Sequence, residues 1–192
     1  MNLMTNVKLY SLLAVFLLGL QGCATLTQDQ IIQQRAETRA VTEQTLAQVY
    51  QQYPKARAQL KQSAGYAVFS NYGFKFMFGG SSRGRGMAVN NINRQTTFMK
   101  MIELQPGFGF GIQKFKVAFM FDTPQAFNDF VNSGWQFGAN ATAKLKSDSE
   151  GLGGGLGAVV SPGVHMYQIS DTGAIVGISL TGAKYYKDDE LN

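Results

Sequence analysis

From Gly65 onward apolar side chains alternate with polar ones or with glycine, and this change of period constrains the fold more than any other feature of the chain. Period two sends successive side chains to opposite faces of a strand, so the stretch calls for a sheet with one face turned to a core. Tyr66 to Phe69 reads as one strand, and Phe74, Phe76 and Phe78 alternate with Lys75 and Met77 in a second. The glycine-rich run Gly79 to Gly86 reads as a turn, Asn90 to Asn93 as another, and Gln105-Pro106-Gly107 as a third. Between them Gln95 to Leu104 forms a longer strand. Phe108, Phe110 and Ile112 then alternate with Gly109 and Gly111, and Phe115, Val117, Phe119 and Phe121 alternate with Lys116, Ala118 and Met120. Half of each strand is expected to be buried.

Helical spacing frames this sheet. Residues 31 to 53 contain neither Gly nor Pro, and Ile31, Thr38, Thr42, Thr45, Leu46, Val49 and Tyr53 share one side of a helix that Thr27 or Asp29 could cap. That side is only weakly apolar, which fits packing on the domain or a stalk better than a membrane-surface helix. Pro54 starts a second short helix to Ser63, whose Lys55, Arg57 and Lys61 make a solvated face. Thr123-Pro124 opens a third, Gly134 stops it, and Ala126, Phe127, Phe130 and Val131 form its apolar stripe. Beyond it Trp135 to Lys146 alternates cleanly, residues 147–157 form a glycine-rich loop, and strands follow at Val164 to Ile169 and Ala174 to Leu180. The expected class is α+β: an N-terminal helical segment, then a glycine-rich, mainly antiparallel sheet of barrel or sandwich form, with one covering helix.

The first residues carry an address. Lys8 precedes the apolar run Leu9 to Leu20, too short to span a bilayer comfortably, and Leu20-Gln21-Gly22-Cys23 fits a bacterial lipobox. The expected divisions are a signal peptide over 1–22, a lipidated tether over 23–30, a helical segment over 31–63, a β-rich domain over 64–187 and an acidic tail over 188–192. Cys23 is the only cysteine, so its acylation leaves no thiol for a disulfide. Without Lys8, 16 of the 17 basic residues remain against 12 acidic ones, a balance that mildly favours anionic partners. Ala24 in place of aspartate points by analogy to the outer membrane, facing the periplasm.

Catalytic machinery is not legible. The single histidine, His165, alternates with Tyr167 and Ile169 and reads as a hydrogen-bonded sheet residue. Carboxylates are dispersed, no Gly-x-Ser-x-Gly elbow or Walker lysine occurs, and the glycine series join strands to strands where a dinucleotide fingerprint would open a helix. Basic residues are spread too widely for nucleic acid. The expectation is a protein without catalytic residues, metal or cofactor.

The chain resembles the SYLF-domain family in its bacterial lipoprotein branch. The resemblance rests on Ala64-Gly65-Tyr66-Ala67-Val68-Phe69, on Gly79-Gly80 with Gly84 and Gly86, and on Gly107, Gly109 and Gly111 with Gln113. Further along it rests on Ala126-Phe127 with Phe130, Gly134-Trp135, Tyr167, and Gly173 with Gly177 and Gly182, so that it covers about residues 55 to 186. Eukaryotic members carry a tryptophan-serine pair where this chain has Phe98-Met99-Lys100-Met101. The resemblance implies a lipid-binding domain. Eukaryotic relatives bind phosphoinositides or other anionic lipids and some bind actin; in a bacterial envelope the transferable part is affinity for anionic phospholipid surfaces. Candidate contacts are Arg83 and Arg85 on their glycine-rich loop, whose backbone N–H groups could also meet a phosphate, with the pairs Lys114 and Lys116, and Lys144 and Lys146. The alternative for each pair is ordinary solubilising charge. The competing function is a structural or adaptor lipoprotein that binds another envelope protein.

Overall fold

The computed structural model describes residues 25–136, 158–170 and 182–192. Cys23 and its signal, the strand expected to carry Lys144 and Lys146, the 147–157 loop and the strand expected at Ala174 to Leu180 lie outside the described residues.

Helix α1 (Gln28–Gln52) begins at a capping box: Gln30 N donates to Thr27 Oγ1 at 3.3 Å, and Thr27 N donates to Gln30 Oε1 at 2.9 Å. Its buried residues are Thr38, Thr42, Thr45, Leu46 and Val49, the side the periodicity selects. Threonine is tolerated there because the hydroxyls of Thr38 and Thr45 donate to the carbonyls of Gln34 and Val41, one turn back. Helix α2 (Ala56–Gln62) starts two residues beyond Pro54, with Arg57 stacked over the Tyr50 ring at 4.8 Å.

Strands β1 (Gly65–Asn90) and β2 (Thr96–Phe121) form one antiparallel ribbon, paired from Gly65 opposite Phe121 to Val89 opposite Thr96. The runs Gly79 to Gly86 and Gln105 to Gly107 are therefore not turns, contrary to the sequence reading; Gly79 to Gly86 pair across the ribbon with residues that include Gln105 and Pro106, and Gly107 lies within β2. Drawn straight, 26 residues of strand would extend about 85 Å. The ribbon instead bends. Its register slips by one between Met77 and Gly79, Met77 takes φ 52°, and the two arms of β1 come together behind the bend. There glycine is required by contact: a Cβ on Gly86 would sit 2.1 Å from the Val68 carbonyl oxygen, and one on Gly84 1.8 Å from Asn71 Oδ1.

Bending separates an inner from an outer face. Ala67, Phe69, Met99, Met101, Val117, Phe119 and Phe121 point inward to helix α3 (Pro124–Ser133), which contributes Phe127, Phe130 and Val131. Phe130 meets the rings of Phe121 at 5.0 Å, Tyr185 at 5.7 Å and Phe69 at 6.2 Å. Thr123 caps α3 by accepting from Ala126 N, Pro124 is its first residue, and Gly134 ends it at φ 66°. On the outer face α1 crosses both arms. Leu46 and Val49 pack on Val68, Ala118 and Met120 of one, while Leu26 and Ile31 pack on Met87, Val89 and Phe98 of the other.

Among the described residues four short strands join this ribbon: β3 (Trp135–Gln136), β4 (Ala158–Ser161), β5 (Val164–Ser170) and β6 (Ala183–Lys187). β5 pairs with the Phe115 to Phe121 end of β2 and carries β4, whereas β6 pairs with Met99 to Glu103 and carries β3. The protein is thus an α+β fold dominated by strands, a curled antiparallel half-barrel with three helices among the described residues. Residues 188–192 do not trail away. Asp188 and Leu191 are buried, and Asn192 both accepts from Phe98 N at 2.8 Å and donates to Phe98 O at 2.9 Å.

Candidate functional site

Antiparallel pairing sets side chains opposite one another, and every second pair shares a face. On the outer face of one arm the pairs run Val68 with Ala118, Ser70 with Lys116, Tyr72 with Lys114, Phe74 with Ile112 and Phe76 with Phe110. On the other arm Arg83 pairs with Ile102 and Arg85 with Lys100. Because Gly84 has no side chain, this second arm closes on Asn71, which brings Arg83 and Arg85 to the same opening as Lys114 and Lys116. The middle of α1 forms the other wall through Gln34, Glu37, Thr38, Val41 and Thr42. Between them lies a cleft of about 800 Å³.

Its lining holds five cationic side chains, Arg83, Arg85, Lys100, Lys114 and Lys116, against one carboxylate, Glu37. They are not equally available. Lys100 Nζ lies 2.9 Å from Asp188 and 2.7 Å from Glu190. Burial presses its pKa down, but the hydrogen bonds to Glu190 and Asp188 outweigh that and hold it above the usual lysine range. The hydrogen bond to Lys100 in turn holds the Glu190 carboxyl below the usual glutamate range. Lys116 donates to Gln48 Oε1 at 3.1 Å. Arg83, Arg85 and Lys114 form no ion pair among the described residues, although the charge of Arg85 also acts on Glu190. Beside them Asn71 is only 3% exposed, and neither its carboxamide oxygen nor its nitrogen has a hydrogen-bond partner among the described residues. A polar atom entering from the cleft would satisfy that amide.

Four of the cations singled out by sequence therefore converge, and Lys144 and Lys146 lie outside the described residues. The expected loop around Arg83 and Arg85 is corrected to paired strand, so side chains rather than a cradle of loop amides face the opening. Sequence reasoning missed Lys100, Asn71, Tyr72 and the α1 wall. The parity of 70, 72, 114 and 116 in an antiparallel register was the signal that could have found Tyr72.

A second departure lies just past the cleft. The outer-face residues Phe74, Phe76, Phe78, Phe108, Phe110 and Ile112, expected to be half of a buried strand, are between 55 and 75% exposed. Their rings pair across the ribbon, Phe76 with Phe110 at 5.2 Å and Phe78 with Phe108 at 5.7 Å, and nothing among the described residues covers them. His165 meets Asp122 at 3.0 Å on the outer face, at the Phe121 end of the sheet and away from the cleft. Among the described residues no group of three or more His, Cys, Asp or Glu could hold a metal, and no helix is long and apolar enough to cross a membrane.

Fold and site together define an α+β half-barrel with a cationic cleft between its ribbon and an outer helix. No protein-family model matches the chain. It is similar to a protein named Beta cell expansion factor A from Aeromonas veronii, 27% identical over 157 residues, which is 82% of this chain and 58% of that protein. The chain thus aligns with less than two thirds of that relative's length.

Proposed function

We propose that this chain is a SYLF-like, non-enzymatic membrane-surface module of a bacterial envelope, anchored through acylated Cys23 at the outer membrane, whose cleft binds anionic phospholipid headgroups. The observation that carries the reading is the convergence of Arg83, Arg85, Lys114 and Lys116 on one opening with a single carboxylate in its lining. Each basic side chain held near an anionic membrane contributes about 1 kcal/mol, and guanidinium groups suit phosphate oxygens better than ammonium groups do. The Asn71 amide, without a hydrogen-bond partner among the described residues, adds a place for a neutral polar atom of the same headgroup.

The test uses the chain from Ala24 onward, which contains every described element and lacks the cysteine. It is sedimented with neutral vesicles and with vesicles rich in phosphatidylglycerol or cardiolipin, at low and high salt. The expected result is binding that requires anionic lipid, weakens with salt and falls at least tenfold in Arg83→Glu/Arg85→Glu. Absence of binding to any vesicle removes this reading and leaves the adaptor alternative, with Cys23 as the sole membrane contact and another envelope protein as the partner.

A further inference from the structure

The exposed rings at the bend of the ribbon have no role in the cleft. Five phenylalanines of about 200 Å² each, more than half exposed, present on the order of 600 Å² of contiguous apolar surface, at the upper limit of what a soluble monomer leaves uncovered. Such a ladder marks contact with something apolar. We infer that the Phe74/Ile112, Phe76/Phe110 and Phe78/Phe108 rungs enter the boundary between headgroups and acyl chains of an anionic bilayer, while the adjoining cleft holds headgroups. The inference deepens the membrane-surface reading and rests on it.

Charge selects the bilayer over the other occupants. Residues 70–86 and 104–116 carry Lys75, Arg83, Arg85, Lys114 and Lys116 and not one Asp or Glu. A second copy docked ladder to ladder would set those cations against their equivalents, whereas an anionic lipid surface neutralises them. Continuity points the same way. Tyr72 and Lys114 line the cleft, and the next pair on that face is Phe74 with Ile112, so cations and rings follow one another along one surface. From Phe74 to Phe78 the ladder runs about 13 Å along the ribbon. It lies flat. The reverse of the same rungs carries Lys75, Gly109 and Gly111, so the ladder is amphipathic, with its rings on one face only. Rings therefore dip into the interface while the backbone stays at headgroup level, as an amphipathic surface helix does.

The experiment compares three forms of the chain from Ala24 onward: unaltered, Phe76→Ser/Phe110→Ser, and Arg83→Glu/Arg85→Glu. Each is tested for penetration of a compressed phosphatidylglycerol monolayer, for vesicle sedimentation and, by analytical ultracentrifugation, for self-association. Both altered positions of the ring variant are exposed, and its thermal unfolding is checked against the unaltered chain. The expected outcome is that the unaltered chain raises the surface pressure and the ring variant does not. The ring variant should also bind vesicles at least tenfold less at high salt, where the cations are screened. Salt-sensitive vesicle binding with no monolayer penetration by the unaltered chain would overturn insertion and leave the headgroup reading standing. Loss of all vesicle binding would remove both. A dimer that the ring variant abolishes, with membrane behaviour unchanged, would reassign the ladder to self-association.

Discussion

Two stretches of one sheet face, drawn from the same two strands, have opposite fates. At Val68 and Ala118 the outer face lies under Leu46 and Val49 of α1 and is closed to solvent. A few rungs along, at Phe76 and Phe110, the same face carries larger apolar groups and is open. Hydrophobicity alone would cover the second before the first, since a ring removes more apolar area from water than a valine. What decides is reach. α1 is about 37 Å long and is fixed at both ends, on Met87 and Phe98 of one arm and Val68 and Ala118 of the other, so it bridges the arms and leaves the bend beyond it. Coverage in this protein follows the path of a helix and not the apolarity of the strand beneath it.

The sharpest way to break that comparison uses one residue type on one strand. Phe119→Ala removes a ring buried among Phe69, Phe130 and Tyr185 and should lower unfolding free energy by about 3–5 kcal/mol in urea titration, whereas Phe110→Ala should cost less than about 1 kcal/mol. Equal costs would mean that the ladder belongs to a core. Next in size, Leu46→Ala should cost about 2 kcal/mol by loosening α1 from the covered stretch, and should expose Val68 and Val49 to faster amide exchange. The smallest effect concerns pH at the other end of the helix, where Lys100 holds Glu190. Glu190 titrates below its unfolded value, so its contribution is present above the ordinary glutamate range and is lost as pH falls through the lowered value. Lys100 titrates above its own, so its contribution is present below the ordinary lysine range and is lost as pH rises through the raised value. NMR signals of Leu191 should therefore hold steady near neutrality and shift at both extremes; a change centred near neutral pH would show that another group governs the tail.

Much of this was legible where local chemistry is decisive. The cap at Thr27, the Thr123-Pro124 start, the Gly134 stop and the buried side of α1 depend on neighbours within a turn, and their spacing discloses them. The glycine-rich runs misled for a physical reason. Gly84 and Gly86 serve close approach between two arms of a bent strand, a contact between residues about fifteen apart, yet locally they look like a turn. The cations were visible singly, but their convergence depends on that same bend. Exposure of the Phe76 rung was not legible, because alternation reveals which face is apolar and is silent on what lies above it. On the reverse of these rungs Gly109 and Gly111 pair with Met77 and Lys75, which leaves little there to mark a core.

The two-point seating of α1 gives the molecule a mechanical character. A pull on the chain ahead of Leu26 would load the helix at its capped end, where Leu26 and Ile31 rest on Met87 and Phe98 and where Arg35 Nε donates to the Leu191 carbonyl at 2.8 Å. Once that seat yields, the threonine-rich middle offers few apolar contacts, and the load passes directly to Leu46 and Val49. The strap would peel in two steps, with the ribbon and its inner core remaining intact until the second.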